Sequence, residues 1–138
     1  MIVATFLLLI GFSVLIVSQF FIPVIRELFK GSLLSLLPLA VFSFLGMVLI
    51  FLTLKEKVKG KLKKFLILTG ISSAGFFISV LLHNFVYGLL IVIFGAGFWD
   101  KIGLGDEPFF FLLAIIVCPI GFLIGVVGSL VLFIRKND

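Results

Sequence analysis

Polar and apolar positions separate almost completely along this chain. Four apolar runs, Ile2–Ile25, Leu36–Leu54, Phe65–Phe94 and Phe109–Ile134, contain no Asp, Glu, Lys or Arg. A helix needs roughly 20 apolar residues to cross a hydrocarbon layer about 30 Å thick. The runs meet that length, and none shows the alternation of polarity over about ten residues that marks the strands of a membrane barrel. In hydrocarbon the backbone must satisfy its own hydrogen bonds, which leaves helices as the form the runs take. The expected fold class is all-α, a polytopic integral membrane protein built as a four-transmembrane-helix bundle. Residues 1–138 form a single transmembrane domain, with helices over about 2–25, 36–54, 65–94 and 109–134.

The polar breaks differ in character. Pro23 marks the end of the first helix, and Arg26, Glu27 and Lys30 make a short link of mixed charge. Ser35 is the expected cap of the second helix, with Pro38 in its first turn, where a missing N–H costs little. The second break, Lys55–Lys64, holds six lysines in ten residues, with Gly60 available for the turn. The third, Gly95 to Pro108, carries Asp100, Asp106 and Glu107 against the single Lys101, together with the only tryptophan, Trp99. Asp106-Glu107-Pro108 reads as a helix start, with acid at the positive end of the helix dipole and proline in the first turn. A signal peptide is the competing reading of the first run. It lacks a basic leading segment, is too long and is followed by no small-x-small pair, so it is expected to remain as a helix.

Composition sharpens this picture. At 63% hydrophobic and 12% charged, the chain lies outside the range of water-soluble domains. Its net charge of +5 would suggest nucleic acid in a soluble protein. Here the basic groups flank apolar runs, where their usual effect is to fix orientation, and no nucleic-acid partner is expected. Four helices put both termini and the lysine turn on one side. That side holds Lys55, Lys57, Lys59, Lys61, Lys63, Lys64, Arg135 and Lys136, against Arg26, Lys30 and Lys101 on the other. The excess predicts cytoplasmic termini in a cell-membrane protein. The six loop lysines are also candidates for contact with anionic lipid, at about 1 kcal/mol each near the surface.

Two further patterns are candidates for function. In the fourth run Gly121, Gly125 and Ser129 recur every four residues, and Gly128 widens the groove they form. Small residues at this spacing let another helix approach closely, either within the bundle or from a second copy or partner. Pro119, just before them, is expected to bend the helix. In the third run His83 and Asn84 precede Tyr87 by about one turn, and Phe76 and Ser79 extend the face. Polar groups at membrane depth face a bundle interior or a water-filled cavity and often mark a ligand or ion pathway. His83 sits about 27 Å along the run from Phe65, near the outer interface, a depth that favours a structural histidine hydrogen-bonded across helices or to headgroup water over a ligand or proton site.

Little else carries chemistry. Cys118 is the only cysteine, so no internal disulfide forms, and one His with one Cys makes no metal site. Asp100, Asp106 and Glu107 are expected to be solvated loop residues, and Phe109, Phe110 and Phe111 to be packing or interfacial aromatics. No cofactor and no catalysis are expected. The expected function is that of a non-catalytic membrane protein, an accessory or assembly subunit packing through its fourth helix. The alternative is a small oligomeric channel or transporter with its polar site at Ser79, His83, Asn84 and Tyr87.

Overall fold

A computed structural model describes residues 1–30 and 36–137, and those residues are mostly helical, with no strand among them. The elements are α1 (Ile2–Phe21), α2 (Pro23–Phe29), α3 (Leu37–Lys55), α4 (Gly60–Phe94), α5 (Phe98–Lys101), α6 (Pro108–Leu112), a π-helical turn (Leu113–Val117) and α7 (Cys118–Asn137). Among the described residues four helical spans are long and apolar enough to cross a membrane: Ile2–Gln19, Leu37–Lys55, Gly60–Phe94 and Pro108–Arg135.

The helix ends have local causes, and several differ from the apolar runs. α1 stops at Phe21 rather than Ile25, because proline drives the residue before it out of helical geometry. Ile22 is extended at φ −105° and ψ 111°, and Pro23 then begins the short α2, where its missing N–H is harmless. Pro38 does lie in the first turn of α3, while the expected cap Ser35 falls outside the described residues. α3 ends with Lys57 in the left-handed region at φ 53°. The Val58 N–H reaches the Thr53 carbonyl at 3.2 Å and the Lys57 N–H reaches Leu54 at 3.1 Å. Those two bonds form a Schellman stop, and Val58 folds back onto the core.

α4 starts at Gly60, five residues before the apolar run, so Lys61, Lys63 and Lys64 stand on the helix rather than in a loop. Lysine is a good helix former, and its long stem keeps the charge exposed. The last span is interrupted too. Pro119 lacks an N–H and crowds the carbonyl four residues back, and the turn before it widens until the Cys118 N–H bonds Leu113.

Helices α1, α3, α4 and the α6–α7 span run up and down in sequence order, α3 packing on both α1 and α4, and α4 on α7. One end is basic: Ile2, Glu56, Lys59, Lys61 and Phe133 surround a common depression. The other end carries Trp99, Asp106 and Glu107 beside the upper part of α4. A core of Ile2, Phe6, Leu9, Ile16, Phe42, Leu49, Leu52, Leu66, Phe122 and Val126 joins all four helices. Edge-on aromatic pairs fix two crossings, Phe42–Phe122 at 5.1 Å and Phe6–Phe133 at 5.6 Å between ring centroids.

Candidate functional site

The fourth-run groove is filled from within the chain. A Cβ on Gly125 would stand 2.7 Å from the Thr69 amide nitrogen and 3.0 Å from the Phe65 carbonyl oxygen. One on Gly121 would meet the Ser72 hydroxyl at 2.5 Å, and one on Gly128 would enter the Phe65 ring. The small residues thus let α4 lie directly on α7. Ser129 is fully buried in this seam, and its hydroxyl has no hydrogen-bond partner among the described residues. A second close crossing joins α3 to α4, where a Cβ on Gly46 would lie 2.7 Å from the Gly70 carbonyl oxygen. The Ser43 hydroxyl donates to the Ala74 carbonyl across the same contact at 3.2 Å. The sequence reading missed this crossing, although Gly46 and the Gly70–Ser73–Ala74 cluster are the same kind of signal.

The polar chemistry gathers at the acidic end, and α4 and the start of α6 build it together. Glu107 caps α6: its Oε1 accepts from the Phe109 N–H at 2.8 Å and the Phe110 N–H at 3.2 Å, and its Oε2 accepts from Phe110 at 3.0 Å. Pro108 in the first turn needs no acceptor, so a single carboxylate covers the free amides that follow it. Asp106 in turn accepts from the Glu107 N–H at 2.7 Å.

His83 on α4 faces this cap. Its Nδ1 lies 3.2 Å from the Glu107 carbonyl oxygen and 3.3 Å from Oε2. Both partners are acceptors, so Nδ1 carries the proton and donates. Nε2 lies 3.7 Å from Asp106 Oδ1, a looser approach. The side chains of Glu107 and His83 are only 5% and 18% exposed, whereas Asp106 is 54% exposed and opens the cluster to its surroundings.

Aromatic rings wall the site. Phe111 tilts against His83 at 5.7 Å, and Tyr87 stacks on it more loosely at 6.5 Å. Trp99 lies almost parallel to Tyr87, with centroids 5.7 Å apart and planes 5° apart, and its indole N–H donates to the Tyr87 carbonyl at 3.3 Å. The loop can return there because Gly95 ends α4 at φ 96°, and because the Leu104 and Gly105 amides bond back to the Trp99 carbonyl.

Of the four polar candidates on α4, the structure brings His83 and Tyr87 into this site. Ser79 is buried one turn below, beside the Cys118 thiol. Asn84 turns away, exposed, with its amide donating to the Val80 carbonyl of its own helix. One expectation needs correction. Glu107 is buried rather than solvated, because capping α6 and bonding His83 draw its carboxylate inward. Phe111 is a packing aromatic, and the ring it packs on is that of His83. Lys55, Lys57, Lys59, Lys61, Lys63 and Lys64 are exposed around the basic end. Among the described residues no group of three His, Cys, Asp or Glu side chains is placed to hold a metal. Comparison with protein-family models, with curated proteins and with solved structures finds no match to this chain.

Proposed function

We propose that this chain is a polytopic, non-catalytic integral membrane protein of the cell membrane, with cytoplasmic termini, acting as an accessory or assembly subunit. Four spans of suitable length and the basic excess at one end support the membrane setting. The observation that carries the role is how the chain spends its polar groups. His83 and Glu107 are committed to each other and to the start of α6, so they brace two helices. The glycine groove of α7 is likewise committed to α4, and a partner or second copy would meet the exposed apolar flank of α7, where Leu123, Ile124, Val127 and Ile134 stand outward.

The channel or transporter reading fits this geometry less well. Below Ser79 the α4–α7 seam closes helix against helix, from Ser72 on Gly121 to Phe65 on Gly128. Native mass spectrometry of the tagged chain, released from its own membranes in mild detergent, tests the proposal. A complex of fixed stoichiometry is expected, and a bare monomer would sink the accessory reading. In reconstituted vesicles, a pH-dependent ion flux abolished by His83→Gln would replace it with transport.

A further inference from the structure

We infer that the cleft between α1 and α7 is a binding site for one acyl chain of a membrane phospholipid. A cavity of about 230 Å³ lies at mid-height in the bundle, with Ser13, Ile16, Phe42, Phe76, Cys118 and Phe122 among its lining residues. It owes its shape to two features of the chain. Near the basic end α1 and α7 are drawn together by Phe6 on Phe133. Further along, Pro119 and the π-helical turn re-aim the wall of α7 just where it faces Ser13, Ile16 and Val17 of α1. Val17 and Leu123 line the cavity and are also exposed, so it opens sideways between the two helices rather than at either end of the bundle.

The walls decide what enters. An apolar cavity of about 150 Å³ already excludes water and takes a small hydrocarbon, since a buried water needs two to four polar partners. Two hydroxyls stand in the wall, Ser13 and Ser72; that of Ser13 is used by the Ile10 carbonyl at 2.7 Å, the one at Ser72 falls short of the partners a water needs, and Phe42, Phe76 and Phe122 dominate the rest. No charged residue lies in the apolar runs that form α1 and α7 on either side of the mouth, so a headgroup finds no partner there. A lipid tail is flexible and unbranched and gains dispersion contacts that an unfilled wall forfeits. Such an occupant presupposes the membrane setting proposed above.

The test uses the full chain reconstituted with a phosphatidylcholine that carries a photoactivatable diazirine midway along one acyl chain. Adducts are then mapped by peptide mass spectrometry. Adducts concentrated on Phe76, Cys118 and Phe122 are expected, with loss of that cluster in Ser13→Phe, whose ring fills the cavity from α1. Val17→Trp, placed at the exposed mouth, should give the same loss without adding bulk to the core. Thermal unfolding of each variant verifies its fold. Adducts spread evenly over exposed positions outside the cavity such as Val14, Ile124 and Val127, or a cluster unchanged in both variants, would overturn the inference. Alkaline extraction separates this from the broader reading: a chain released into the soluble fraction refutes the membrane setting itself. A chain retained in the vesicles with even labelling refutes the acyl-chain site alone.

Discussion

Glu107 does two things with one carboxylate: it closes the amide ends of α6 and it accepts a hydrogen bond from His83 on a helix that precedes it by 24 residues. The two roles predict graded losses. Glu107→Ala removes both, and the cap alone is worth about 1–2 kcal/mol. His83→Leu keeps the cap but takes one donor from a buried carboxylate, at about 1–3 kcal/mol. His83→Gln presents an amide N–H in place of the ring and should remain close to wild type. Thermal unfolding in detergent should therefore rank His83→Gln above both His83→Leu and Glu107→Ala. A His83→Leu protein as stable as wild type would show that the brace contributes nothing to the fold.

At the level of elements, the bundle depends on two glycine crossings that share α4, Gly46 on Gly70 and Gly125 on Thr69. Backbones this close gain dispersion contacts, and a larger residue forces them apart. Gly125→Leu is expected to cost at least the 1–3 kcal/mol typical of about one overpacked core site. Because α4 of the same chain fills the groove, the loss should appear as a lower unfolding temperature that does not change with protein concentration. A concentration-dependent shift would instead place the groove between chains. Leu123→Ala, on the outward flank of the same helix, serves as the control and should leave the monomer fold nearly unchanged.

For the whole molecule, the separation of charge between the two ends predicts orientation. Single cysteines placed in a Cys118→Ser background should react with a membrane-impermeant maleimide in intact cells when they lie in Gly95–Pro108. Those in Lys55–Lys64 should react only after the membrane is opened, and the reverse pattern would invert the topology. At 35 residues, α4 is about 52 Å long at 1.5 Å per residue, well beyond a hydrocarbon layer of about 30 Å. Its lysine-bearing first turns and its Tyr87-bearing last turns would therefore reach both interfaces. In the proposed membrane setting the stacked Tyr87 and Trp99 would fall at the boundary, where amphipathic rings are favoured.

Much of this architecture is local and so was legible along the chain. Apolar run length sets the number of spans. Pro38 in the first turn of α3 and Asp106-Glu107-Pro108 at the start of α6 act within a few residues of themselves. Other boundaries moved by several residues, because Pro23 disturbs its neighbour Ile22 and because lysines extend α4 past its apolar stretch. What tertiary structure alone decided is which distant residues meet. Spacing marked Gly121 and Gly125 as a groove, but only packing shows that Thr69 and Ser72 fill it. The histidine was visible as a polar residue in an apolar helix. Its partner lay in a loop that reads as solvated, and was identified only when the Gly95–Gly105 turn folded back and the α6 cap carried Glu107 inward. A hydrogen bond across 24 residues depends on chain path, and composition and periodicity record nothing of that path.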